Sequence, residues 1–164
     1  MFKELLPLKY DKIVEEPKSS LTSKFKEFFA NHNKSVYDPN IMGEFVGPNI
    51  LGAERKEPER IGLTNGLRTA NLTAEFVDKE GNTKLNIRIA LNFGQILMYF
   101  GILVLSGVFV FNYLNGGYDK DLGFLVGGIC FFITSFVFLF LFRIKKNELK
   151  EEFEKVVAKI ENGL

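Results

Sequence analysis

Tryptophan is absent from this chain, and cysteine and histidine occur once each, as Cys130 and His32. A single cysteine makes no intrachain disulfide and no thiolate metal site within one chain. His32 has no neighbouring His or Cys ligands and reads as a helix-end residue. Charge of one sign is missing as well. Lys and Arg number 21 against 20 Asp and Glu, a net +1 that offers no electrostatic footprint for nucleic acid. The N-terminus lacks the continuous apolar stretch of a secretory signal, because Lys3, Glu4, Pro7, Lys9 and Asp11 interrupt Phe2, Leu5, Leu6 and Leu8. Catalytic constellations are missing too: no Ser–His–acid set in motif context, no Walker loop, no dinucleotide fingerprint. Gly47 and Gly52, near Asn49, read as turn glycines. Glu44, Glu54 and Glu75 fall on the solvated side of an alternating pattern. These absences point away from an enzyme and away from any cofactor or metal.

What is present lies in the C-terminal half. Ile89–Tyr118 and Leu122–Phe142 are two charge-free apolar runs separated by Asp119, Lys120 and Asp121. Each exceeds the roughly 20 apolar residues that cross a bilayer. The spacing predicts spans over Phe93–Leu114 and Leu122–Phe142, joined by a tight turn at Asn115-Gly116-Gly117. The flanks of the runs carry Lys84 and Arg88 on one side and Arg143, Lys145 and Lys146 on the other. The intervening loop has only Lys120 between two acids. The positive-inside rule then puts both termini in the cytoplasm, with the protein in an inner or plasma membrane and lipids as its first partners. Three clustered bases fall short of the four to eight that mark specific anionic-lipid binding.

The rest of the chain reads as α+β, a small β-rich module with an amphipathic helix, a two-span helical hairpin and a C-terminal amphipathic helix. Residues 1–18 look irregular, bracketed by Pro7 and Pro17. Residues 19–91 form the soluble unit. Ser19 and Ser20 are candidate N-caps for a helix whose Leu21, Phe25, Phe28 and Phe29 share one face. Ile41–Val46, Ile50–Arg55 and Arg60–Thr64 are candidate strands, with turn signals at Gly47-Pro48-Asn49 and Lys56-Glu57-Pro58. Ala70, Leu72, Ala74 and Phe76 alternate with polar residues, as do Leu85, Ile87, Ile89 and Leu91, around Lys79-Glu80-Gly81-Asn82. That is a hairpin with one buried face. Residues 92–142 form the spans. Residues 143–164 form a separate charged helix with Leu149, Phe153, Val156, Val157 and Ile160 on one stripe, Glu151–Lys155 and Lys150–Glu154 pairs, and Gly163 as its cap.

Two surfaces stand out as candidate sites. Gly123, Gly127, Cys130 and Thr134 recur every three or four residues, a small-residue seam with a GxxxG step. It packs either against Gly94 and Gly101 of the first span or against another subunit, with Phe124, Phe131, Phe138 and Phe142 as the bulky opposite side. The second surface is the apolar face of the two amphipathic helices, Leu21, Phe25, Phe28 and Phe29 with Leu149, Phe153, Val156 and Ile160. It is expected to dock on the β-module or on a protein partner. The function these patterns favour is a non-catalytic accessory subunit or scaffold that binds a membrane or cytoplasmic protein. The alternative is an oligomeric membrane-perturbing effector or channel-like protein with a cytoplasmic sensor module, its partner then being a homo-oligomer.

Overall fold

The computed structural model describes residues 2–32, 40–55, 70–116 and 122–163. After a 3-10 turn over Phe2–Leu5 come β1 (Leu8–Val14), α1 (Lys18–His32), β2 (Ile41–Gly47), β3 (Ile50–Arg55), β4 (Asn71–Lys79), β5 (Asn82–Ala90), α2 (Phe93–Asn115) and α3 (Leu122–Glu161). The strands form one antiparallel sheet in the order β1-β5-β4-β3-β2. The candidate strand Arg60–Thr64 and the turn Lys56-Glu57-Pro58 lie outside the described residues, as does most of the segment between α2 and α3.

Alternation sets the sheet's two faces. Leu72, Ala74 and Phe76 of β4 are buried, as are Leu85, Ile87 and Ile89 of β5. Asn71, Thr73 and Glu75 lie on the opposite face with Lys84, Asn86 and Arg88. Glu80 (φ 50) and Gly81 (φ 88) close this hairpin with the two positive φ angles of a type I′ turn, which matches the strands' right-handed twist. Across the sheet, β2 and β3 turn at Pro48-Asn49, with a register shift between Phe45 and Gly47.

Two expectations change here. Residues 1–18 are not irregular: β1 pairs along its whole length with β5, from Leu8 opposite Ile89 to Val14 opposite Thr83. Leu8, Tyr10 and Val14 do alternate, but Lys12 falls on the core side. It is tolerated there because β1 is an edge strand and the ammonium reaches Glu161 of α3 at 3.2 Å. Nor is the C-terminal helix separate. One 40-residue helix, about 60 Å long, runs from Leu122 to Glu161 without a break at Arg143. The change from apolar to charged side chains alters the solvent preference of the helix and leaves its backbone hydrogen bonding intact.

α1 and the second half of α3 cover one face of the sheet. α1 starts earlier than the serines imply: Leu21 N–H donates to Pro17 O at 3.0 Å, and Glu16 accepts from the Ser20 hydroxyl at 3.3 Å. The Phe25 ring lies edge-on to Phe76, with centroids 5.2 Å apart, and stacks on Phe153 at 6.0 Å. That one residue joins sheet, α1 and α3. Gly43 of β2 is required by this packing, since a Cβ there would sit 2.8 Å from the Phe29 ring. α3 is tied further by Glu152, which accepts the Asn40 N–H at 2.7 Å, and by an Arg55–Glu148 ion pair. Within α3, Lys150 meets Glu154 at 3.6 Å and Lys155 meets Glu152 at 2.7 Å.

Candidate functional site

Asn92 begins α2 as an N-cap, its side chain accepting the Gly94 N–H at 3.1 Å. Only Leu91 and Asn92 separate β5 from α2. A connection this short joins the sheet to the first long apolar helix without a flexible spacer. α2 and the first half of α3 are each long and apolar enough to cross a membrane, and only 17% of the most apolar stretch of each is buried. They pack antiparallel: Tyr99 faces Phe142, with ring centroids 6.4 Å apart, and Phe109 faces Phe124 and Phe131 at 5.7 and 5.4 Å. At their closest approach the Ser106 hydroxyl donates to Gly128 O at 2.8 Å. A Cβ on Gly128 would stand 2.7 Å from Val110 Cγ2 and 3.3 Å from Val110 N. The backbones meet there because Gly128 has no side chain.

The expected seam is only partly in this contact. Gly127 abuts Phe109, where a Cβ would come within 2.7 Å of the ring. Gly123, Cys130 and Thr134 are exposed, and Thr134 donates to Cys130 O of its own helix at 2.8 Å. Gly94 and Gly101 are exposed too, with open space beside Gly101. Buried positions run instead through Gly128, Ser135, Leu139 and Phe142, rotated by one residue from the seam. The bulky side opposite the seam is divided: Phe142 is buried, Phe138 packs beside it and Phe131 meets Phe109, whereas Phe124 meets Phe109 but stays exposed. Outside lies an apolar belt including Phe93, Leu97, Val104, Phe111, Ile133 and Phe140.

The second expected surface is closed. Leu21, Phe25, Phe28, Phe29, Leu149, Phe153, Val156 and Ile160 are all buried in the chain's own core, none more than 5% exposed. A five-stranded sheet with one apolar face needs cover, and these two helices supply it. Among the described residues, the Phe face of α1 is taken up by the chain's own sheet and α3.

Besides a shallow hollow between the start of α1 and the Pro48-Asn49 turn, two open features stand out among the described residues, neither legible in the sequence. On the sheet face opposite α1 and α3 a hollow of about 350 Å3 lies over Gly52, lined by Met42, Glu44, Val46, Glu54, Asn71 and Thr73, and Val46 and Ile50 of this face are exposed. The other feature lies where α3 changes character. Lys146, 5% exposed, donates to Glu4 O at 2.5 Å and Leu6 O at 3.0 Å, pinning the N-terminal turn to α3. Burial holds its pKa below the ordinary lysine value, against the opposing pull of Glu4. Beside it is a hollow of about 370 Å3 lined by Lys3, Glu4, Leu6, Pro7, Leu8, Arg143 and Asn147. Below it, Leu5 packs with Leu91, Tyr99, Leu139 and Phe142. Between these helices Gln95 Oε1 and the Tyr99 hydroxyl are buried with no hydrogen-bond partner among the described residues.

Among the described residues no group of three or more His, Cys, Asp or Glu side chains is placed to hold a metal ion. No family model, no curated protein and no solved structure matches the chain.

Proposed function

We propose that this chain is a two-span integral membrane protein of an inner or plasma membrane, with both termini cytoplasmic. In this reading it acts as a non-catalytic subunit or scaffold that presents its sheet to a protein partner. The observation that carries it is the change of surroundings along α3. Its first half keeps Val126, Ile133, Phe136 and Phe140 exposed, whereas Leu149, Phe153, Val156 and Ile160 of its second half are core of the sheet module. A helix that is apolar outside at one end and a core element at the other suits one that leaves lipid and enters a folded domain. The bases Lys84, Arg88, Arg143, Lys145 and Lys146 flank the spans on the sheet side, which favours that side as cytoplasmic. The partner surface is the sheet face opposite α1 and α3, where Val46 and Ile50 are exposed beside Met42, Glu44 and Glu54, together with β2, the edge strand among the described residues.

Exposed glycines favour a second reading, in which copies of the chain assemble and perturb the bilayer. A Cβ on Gly101 or Gly107 would meet nothing within 4 Å, and Cys130 and Thr134 are also exposed. That leaves small-residue surface for another subunit.

The test begins with alkaline carbonate extraction of membranes, from which the protein should not be released. In a Cys130→Ser background, Asn115→Cys should label from outside intact cells and Asn162→Cys only after permeabilisation. Equal labelling would overturn the topology. Glu substitution at Val46 and Ile50 should abolish stoichiometric co-purification of a partner. Loss of membrane potential on overexpression, with a ladder of homo-oligomers on crosslinking, would select the second reading.

A further inference from the structure

The N-terminal turn and the middle of α3 bring basic groups together at one place. Lys3, from the N-terminal turn, and Arg143, Lys146 and Asn147, from α3, line the hollow of about 370 Å3 described above. Glu4 is its one acid, so three cationic side chains face one anionic one. Neither Lys3 nor Arg143 takes part in an ion pair among the described residues. Lys146 is nine-tenths buried, and its ammonium spends two of three N–H donors on Glu4 O and Leu6 O. Its depressed basicity reflects a charge incompletely compensated where it lies. A bound anion would supply what is missing.

Position decides which anion. Arg143 directly follows Phe142, the last residue of the uncharged run, and the hollow opens above the apolar cluster of Leu5, Leu91, Tyr99 and Phe142. Phe140 and Phe136, three and seven residues before Arg143 and so on its side of α3, are exposed. An occupant with phosphate at the level of Arg143 and hydrocarbon alongside Phe136 and Phe140 meets both surroundings, whereas free phosphate meets only the first. We propose that this hollow is a binding site for the phosphate of an anionic phospholipid headgroup, held by Lys3 and Arg143 and the remaining N–H of Lys146. The site rests on the membrane reading above. Counting bases along the sequence missed it because Lys3 is far from Arg143 in the chain and is brought close by the Lys146 anchor.

The experiment uses the full chain in dodecyl maltoside, titrated with dioleoyl phosphatidylglycerol or dioleoyl phosphatidylcholine and read by native mass spectrometry. Phosphatidylglycerol should bind more tightly. Lys3→Gln and Arg143→Gln should each weaken it about fivefold, the effect of one basic residue near a membrane surface. Arg143→Lys should retain most of the affinity, and Lys79→Gln, at the far hairpin turn, all of it. Melting temperatures of the variants close to wild type exclude unfolding as the cause. Equal binding of the two lipids, or equal effects of Arg143→Gln and Lys79→Gln, would overturn the site. Displacement of phosphatidylglycerol by inorganic phosphate at similar concentration would overturn its assignment to lipid. Carbonate extraction separates the two claims: release of the wild type sinks the membrane reading, and retention without lipid preference sinks the site alone.

Discussion

Replacing Gly128 with alanine is the sharpest perturbation of the helix pair. The new methyl would stand 2.7 Å from Val110 Cγ2, 3.3 Å from Val110 N and 3.3 Å from Ser106 O. Two of those three atoms are backbone and move only if α2 moves. Overpacking of this kind costs about 1–3 kcal/mol, and separating the helices also strains the 2.8 Å Ser106–Gly128 hydrogen bond, worth about 0.5–1.5 kcal/mol. Against this stands the better helix propensity of alanine, about 1 kcal/mol. The clash wins, by about 2 kcal/mol net. For a protein of this length that is a fall in melting temperature of about 4–8 °C, readable by intrinsic tyrosine fluorescence in detergent. Gly101→Ala is the matched control, because the same methyl there meets open space. It gains propensity without a clash and should be neutral or stabilising. If Gly128→Ala melts with Gly101→Ala, the helices do not pack at this face and the antiparallel pairing is wrong.

Other outcomes follow from the sheet and its helices. Ile87→Asp buries a charge in the core and should cost several kcal/mol, while Asn86→Ser on the open face should stay within about 0.5 kcal/mol; equal loss of folded protein would invert the strand faces. Gly43→Ala drives a methyl to 2.8 Å from the Phe29 ring and should cost about 1–3 kcal/mol, which Phe29→Leu in the same chain should partly restore if that ring is the obstacle. Glu152 titrates below the ordinary carboxylate value of 4.5: burial raises it, but the hydrogen bonds from Lys155 and the Asn40 N–H, with the charges of Lys155 and Arg55, outweigh burial. Its unfolded form therefore binds protons first, so its stabilisation is present above pH 4.5 and is lost as pH falls through the folded value. Glu152→Gln should flatten the melting temperature between pH 5 and 3, and an unchanged slope would clear Glu152 of that role.

The hairpin of β4 and β5 was legible residue by residue, because period-2 alternation on both arms encodes a single buried face. β1 carries the same signal in Leu8, Tyr10 and Val14, but Pro7, Pro17 and the inward Lys12 obscured it. What admits Lys12 is a tertiary fact, the arrival of Glu161 at its ammonium. The seam illustrates a second limit. Gly123, Gly127, Cys130 and Thr134 satisfy helical spacing as well as Gly128 and Ser135 do. The positions of Phe109 and Val110 on the facing helix decide between them. The apolar stripes of α1 and α3 were visible from spacing alone, yet spacing says only that a face needs cover and not whether the cover lies in the same chain.

The buried positions of α3 carry the last step of the argument. Gly128, Ser135, Phe142, Leu149 and Val156 are seven apart, and so are Leu139, Lys146, Phe153 and Ile160. One stripe with a 3.5-residue period thus runs the whole helix, facing α2 at one end, the N-terminal turn at Lys146 and the sheet at the other. A straight α-helix drifts about 20° per heptad from such a stripe, so its partners must follow it round, as α2, the Phe2–Leu5 turn and the sheet do in succession. Between Ile129 and Glu161 the helix has neither Gly nor Pro, the usual causes of a kink. Leu149, Phe153 and Val156 thus continue, on one unbroken helix, the stripe that faces α2, and Phe153 extends it through Phe25 to the sheet. In the proposed membrane setting, one unbroken helix would join the spans to the sheet module.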